Sequence, residues 1–345
     1  MRLQFLSVAL LALGLSPALF AQEAPSPGGP PPASDAPDQP VGSDLETLKV
    51  NVNLVNVYFS VRDKTGYITN LHKNDCSIDE DKTTQTIKNF TQEKNLPLTI
   101  GILLDTSGSQ QNVLPLEQDA GARFLKEVLT PKDEAFLISF DINVDLLTDY
   151  TNNAREIDRS IHRASINTGA GTGSVTGNGT PRGTLLYDAV YLAAHDKLRQ
   201  EAGRKIIVML TDGGDQGSQE NLKSSIEAAQ KANAIIYVIL IADRGFYGGG
   251  FGINLADTGS RDMQRLATET GGRVINVGNN GRKLEDAFDQ IQDELRTQYL
   301  ASYTPTNLKA DGTFRNLKIA CGKDQKIQAR KGYYAIAGGG LDDNN

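Results

Sequence analysis

Asp105, Ser107 and Ser109 close the stretch LLDTSGSQ, where an apolar run ends in one acid followed by two hydroxyls at alternate positions. A second apolar run, KIIVMLTD, ends in Asp212. Such an ending fits a polar turn, an enzymic nucleophile or part of a metal site. A serine nucleophile needs a base within reach. The three histidines, His72, His162 and His195, fall in a turn or on helices, well separated in sequence from these serines. TSGSQ is also not the GxSxG of a nucleophile elbow. Two carboxylates mixed with neutral oxygens suit a hard divalent cation: Mg²⁺ takes six oxygen ligands and commonly retains waters, and Mn²⁺ or Ca²⁺ share the preference for oxygen.

The elements around these residues explain how they could meet. LTIGILLD, AFLISF, KIIVMLTD and AIIYVILIAD are continuous apolar runs, the pattern of parallel strands covered on both faces. Amphipathic stretches separate them, near 113–129, 154–165, 185–199, 219–232 and 260–270, with KLEDAFDQIQDELRTQ last. Alternating strands and helices predict a doubly wound, mostly parallel α/β domain over 96–297. In such sheets ligands bind beyond the carboxyl ends of the strands, which puts Asp105 and Asp212 on one edge.

Both flanks of that domain read as β. Residues 47–95 contain the alternating run VNVNLVNVYFSVRD, a KTGYI turn and CSIDEDKTTQTIKNF; residues 298–336 contain QYLASYTPTN, FRNLKIACG and KIQARKGYYAI. Neither flank is large enough alone, so the expectation is one β-sandwich made from the two. Cys76 and Cys321 would then meet in that module, and a disulfide between them would close a very long loop.

The N-terminus, MRLQFLSVALLALGLSPALFAQ, has the early Arg, short apolar core and small residues of a secretory signal peptide over 1–21, with cleavage after Ala18 or Ala21. Export also permits the disulfide. Pro-, Gly- and Ser-rich residues 22–46 read as a linker, and 337–345 as a loose tail. No later segment reads as a membrane span. A net charge of −7 argues against nucleic acid or an anionic membrane as the partner.

Asp105-Thr106-Ser107-Gly108-Ser109 resembles the DxSxS motif of von Willebrand factor type A domains, which builds a metal-ion-dependent adhesion site. The resemblance implies a Thr from a loop before a helix and an Asp at a later strand end. Thr184 of GTLLYDAV and Asp212 of VMLTDGG match those positions in order, with Thr180 as a competitor for the first. LPLTIGILLDTSGS, KDEAFLISF, GTLLYDAVYLAA and QYLASYTPTN with RKGYYA further resemble a bacterial exported subfamily typified in acidobacteria, whose type A domain lies between β-rich flanks. The resemblance implies Ser107, Ser109 and Thr184 as direct cation ligands, and Asp105 and Asp212 as ligands directly or through water. It also implies an exported binding protein that is not an enzyme, periplasmic or secreted, whose cation takes up a Glu or Asp carboxylate of a protein partner. The rival readings are a metal-independent envelope-assembly protein and a metal-assisted hydrolase.

Three further features bear on this edge. The loop NTGAGTGSVTGNGTPRG lacks the GxxxxGK[ST] pattern and does not follow a strand, so it reads as a rim of the site and not as a phosphate cradle. Phe246, Tyr247 and Phe251 sit among glycines after AIIYVILIAD, as a contact surface for a partner or a cap on the sheet. Asp188 and Asp215 lie near the site in sequence, as supporting acids or solvated ones; the reading for Asp215 is a solvated acid.

Overall fold

A computed structural model describes residues 54–93, 96–167, 183–241 and 252–336, with the backbone alone over 252–258. The chain begins with β1 (Val55–Arg62), β2 (Cys76–Glu80), β3 (Thr83–Gln85) and β4 (Ile87–Gln92). The α/β section runs β5 (Leu98–Asp105), α1 (Leu114–Val128), β6 (Glu134–Phe140), β7 (Val144–Thr151), α2 (Ala154–Ile161), α3 (Leu186–Leu192), β8 (Arg204–Thr211), α4 (Leu222–Ala232), β9 (Ala234–Leu240), α5 (Gly252–Thr270), β10 (Val274–Asn276) and α6 (Gly281–Thr297). It closes with β11 (Tyr299–Tyr303), β12 (Phe314–Cys321), β13 (Lys326–Ala329) and β14 (Gly332–Tyr334).

The central sheet has the order β10-β9-β8-β5-β6-β7, parallel throughout except for β7, which runs antiparallel along the edge at β6. Its apolar runs serve two cores because successive side chains point to opposite faces. Ile100, Ile102 and Leu104 of β5 and Ile206, Val208 and Leu210 of β8 pack with α1, α2 and α6. Leu103, Ile207 and Met209 face the other way, against α3, α4 and α5. This is the doubly wound α/β architecture. The antiparallel edge strand β7 is an addition that its sequence, VDLLTDYT, did not announce, since only one of its residues is buried. The helix expected over 185–199 is α for its first half and π-helical over Ala193–Leu198.

The flanks form two four-stranded antiparallel sheets, β13-β1-β11-β4 and β14-β12-β2-β3, each drawing strands from both ends of the chain. Val57, Phe59, Ile78, Tyr299, Tyr303 and Leu317 fill the space between them, so the flanks make one sandwich. Cys76 and Cys321 are direct register partners on β2 and β12 and are joined by a disulfide. A buried carboxylate fastens sandwich to sheet: Glu294 of α6 accepts from Tyr237 of β9 at 2.9 Å, from Tyr67 at 3.0 Å and from Arg273 Nε at 2.9 Å. The signal, linker and tail segments lie outside the described residues, as do Thr180, most of the Gly-rich loop, and Phe246, Tyr247 and Phe251.

Candidate metal centre

The chain leaves β5 towards β6 on one side and returns to β8 on the other, which makes the β5–β8 boundary the switch point of the sheet. Leu104 pairs in register with Leu210, so the next residues, Asp105 and Thr211, end side by side. Both are fully buried. The Thr211 hydroxyl donates to Asp105 Oδ2 at 2.6 Å, and the Ser107 N–H donates to Oδ1 at 3.0 Å. The hydroxyls of Ser107 and Ser109 lie 3.0 Å apart, so that two neutral oxygens converge just beyond the acid.

Asp212 follows β8 in a tight loop in which its Oδ1 accepts from the Gly214 N–H at 3.1 Å and the Gly213 N–H donates to Thr211 Oγ1 at 3.0 Å. Gly213 has φ +87°, and a Cβ on the facing Gly259 of α5 would stand 2.3 Å from the Gly213 carbonyl oxygen. The close approach of the loop to α5 thus requires the glycine pair. Thr184 enters through backbone pairing: its N–H donates to the Gln216 carbonyl at 3.0 Å, and the Gln216 N–H donates back at 2.9 Å. Next to it, the Leu185 N–H donates to the Asp141 carbonyl at 2.7 Å, while the Asp141 carboxylate accepts from Thr106 Oγ1 at 2.7 Å and Asn167 Nδ2 at 3.0 Å. The loops bearing Asp105, Thr184 and Asp212 are therefore laced together at one sheet edge.

Asp188 and Asp215 brace this lacing. Asp188 accepts from the N–H groups of Gln219 and Glu220, at 3.1 and 2.8 Å. Asp215 is not the solvated acid that its sequence position indicated. It is part-buried and accepts from Ser218 Oγ at 2.6 Å and from the Tyr187 N–H, at the first turn of α3, at 3.3 Å. A carboxylate at a helix start satisfies an open N–H and meets the positive end of the helix dipole. The three histidines stay apart: His72 precedes β2, His162 follows α2 and contacts Asp119, and His195 lies beside Asp196.

The electrostatics are those of neighbouring acids withdrawn from water. Burial, and then the nearby charge of Asp212, push the Asp105 carboxyl up to about 7, against hydrogen bonds from Ser107 and Thr211 that lower it. Two residues that sequence reasoning missed add to this. Glu117, on α1, is fully buried, and neither carboxyl oxygen has a hydrogen-bond partner among the described residues. Burial, followed by Asp105 and Asp212, holds its carboxyl well above the ordinary range. Gln110 is likewise fully buried, with both amide atoms unpartnered.

Unpartnered polar groups at zero exposure are costly unless water, a proton or an ion meets them. No group of three or more His, Cys, Asp and Glu side chains converges on a metal position among the described residues. The donors at this edge are instead two carboxylates with serine and threonine hydroxyls, oxygen chemistry that fits a small hard cation.

No protein-family model matches the sequence. None of the curated proteins matches it either. Solved structures similar to the chain include BatB, a conserved hypothetical protein of Bacteroides thetaiotaomicron, at 18% identity over 57% of this chain and 98% of that chain, with a TM-score of 0.41. Another is the vWF domain of the type V pili tip protein Mfa5 of Porphyromonas gingivalis, at 15% identity over 57% of this chain and 94% of that chain, with a TM-score of 0.42. A third is proximal thread matrix protein 1 of the mussel byssus with a zinc-occupied MIDAS motif, at 14% identity over 63% of this chain, with a TM-score of 0.46. This chain spans half of that last one. The doubly wound α/β architecture stands on the strand order and register described above.

Proposed function

We propose that the protein is an exported, non-enzymatic binding protein that engages a partner through a divalent cation at the β5–β8 switch point. The observation that carries this reading is a buried acid, Asp105, at the β5–β8 strand ends with paired serine hydroxyls just beyond it, on loops tied to those of Thr184 and Asp212. Ser107, Ser109 and Thr184 are the neutral donors in this reading, and Asp105 and Asp212 the anionic ones. Mg²⁺ is the favoured cation on the oxygen donor set.

A cation bound here supplies an electrophilic coordination position for a partner's Glu or Asp carboxylate. The hydroxyl donors contribute no formal charge, which leaves the position attractive to an outside anion. Asp105, held by Thr211 and the Ser107 N–H, fixes one wall of the site. Asp215 and Asp188 keep the Thr184 loop and the α3 start against the Asp212 loop. Among the described residues no helix is long and apolar enough to cross a membrane. Export to the periplasm or the medium rests on the signal-like N-terminus.

The test is capture of partners from the native cell envelope and medium by the full chain. Binding that requires Mg²⁺, stops with EDTA and is absent in Asp105→Ala supports the reading. A partner set identical under all three conditions contradicts it.

A further inference from the structure

A cavity of about 370 Å³, which shares no lining residue with the strand-end site, opens between the start of β1, the end of α4, the β11–β12 loop and the residues from Arg330 to Ile336 around β14. Three cationic side chains line it, Arg330, Lys231 and Lys309, and none of its lining residues is an Asp or Glu. Leu54 and Leu308, both substantially exposed, add apolar surface, together with the ring of Tyr333.

Arg330 is the informative residue. Its Nη1 donates to Asn233 Oδ1 at 2.8 Å and its Nη2 to the Asn56 carbonyl at 2.9 Å, both neutral acceptors. Its Nε is buried and has no partner among the described residues. The guanidinium lies 5.5 Å from the centre of the Tyr333 ring. Guanidinium groups withdrawn from water are ordinarily matched by a carboxylate. Here burial lowers the Arg330 pKa to about 10. Glu80 makes no ion pair with it among the described residues, its Oε2 accepting instead from Tyr303 at 2.6 Å and Tyr333 at 2.9 Å. Lys231 pairs with Glu227 at 2.9 Å, so its charge is already matched and Arg330 and Lys309 carry the positive field of the cavity.

A guanidinium carries five donors. Two of them are engaged by Asn233 and Asn56, which fix its orientation and leave one N–H on each terminal nitrogen, on a side chain that lines the cavity. The volume is at the small end of the ~300–1,000 Å³ usual for small-molecule sites.

We infer that this cavity binds a small organic acid, a single carboxylate on a compact apolar body, with the carboxylate on Arg330 and the body against Leu54, Leu308 and Tyr333. Lys309, at the exposed rim, draws the anion in. The site is independent of the strand-end cation.

The probes are phenylacetate, hexanoate and benzoate, with phenylacetamide as the uncharged counterpart of the first. Binding to the full chain is followed by ligand-detected NMR and by thermal shift, in EDTA so that no divalent cation can bridge the carboxylate. At least one acid should bind and raise Tm, with affinity at least tenfold above the amide, and should bind Asp105→Ala equally well. Affinity should fall at least tenfold in Arg330→Gln and recover in part in Arg330→Lys. Lys309→Gln, at an exposed position, should weaken binding several-fold and reduce its salt dependence; it decides the matter if Arg330→Gln does not fold. The inference is overturned if no acid binds, if the amide binds as well as the acid, or if the folded variants bind as tightly as the parent chain.

Discussion

The Thr211 hydroxyl donates to Asp105 Oδ2 at 2.6 Å, linking the last residues of two neighbouring parallel strands at the point where the sheet reverses its winding. That bond holds the acid of the candidate site in a fixed orientation while its other oxygen takes the Ser107 N–H. Thr211→Val keeps the shape of the side chain and removes the donor. Leaving a buried acceptor unmet costs about 1–3 kcal/mol. We expect Tm to fall by several degrees in the metal-free protein, and Mg²⁺ affinity to drop about tenfold by calorimetry. Unchanged values for both would remove Thr211 from the site.

The pH dependence follows from Asp105. Its carboxyl is pushed up to about 7 in the folded chain, above its unfolded value, so the folded state holds a proton that the unfolded chain releases earlier. The stability this contributes is complete at pH below the ordinary aspartate value and is lost as pH rises through about 7. Metal-free protein should therefore show a falling Tm between pH 5 and pH 8 in scanning calorimetry, on the order of a few degrees. Saturating Mg²⁺ should remove most of that decline, because it favours the ionised acid. Metal-free Tm rising over the same range would contradict the burial argument.

Glu117 carries the same sign more strongly, since burial and two neighbouring acids favour its neutral form. Glu117→Gln mimics that neutral form. Its Tm should match the parent at pH 5 and exceed it at pH 9, by urea or thermal melts. Glu117→Ala removes buried side-chain atoms and should be destabilised at both pH values, by about 1–3 kcal/mol. A Gln variant as unstable as the Ala variant would argue for a charged Glu117.

The strand ends were legible in the sequence because a buried parallel strand is an unbroken apolar run, and an Asp that stops it is conspicuous. Gln110 and Glu117 were not legible. Both are polar residues with no local signature of burial, and they are fully enclosed only in the folded chain. Asp215 was misread for a related reason: its partner Tyr187 is brought alongside by the Thr184–Gln216 pairing, a long-range contact with no local signature. The cation-lined cavity at Arg330 had no signal either, since its walls come from four separated segments of the chain. The sandwich was foreseen in outline, from two flanks each too small to fold alone, but the strand exchange between its sheets was not.

The Cys76–Cys321 bond joins β2 to β12 across a sequence separation of 245 residues. Removing a native disulfide of this kind costs roughly 2–5 kcal/mol. Cys76→Ser with Cys321→Ser should lower Tm with the sandwich melting first, which hydrogen exchange on β2 and β12 would report. Equal protection in oxidised and double-mutant protein would show that the bond adds nothing to the sandwich.

Asp105, Ser107, Ser109, Thr184 and Asp212 together should hold one divalent cation. Isothermal titration of Mg²⁺ into metal-free full-length chain measures this directly. One ion should bind per chain, with affinity weakening as pH falls below 7 and no measurable binding in Asp105→Ala, which stays folded by circular dichroism. Absence of binding in the parent chain, or undiminished binding in that variant, would contradict the account.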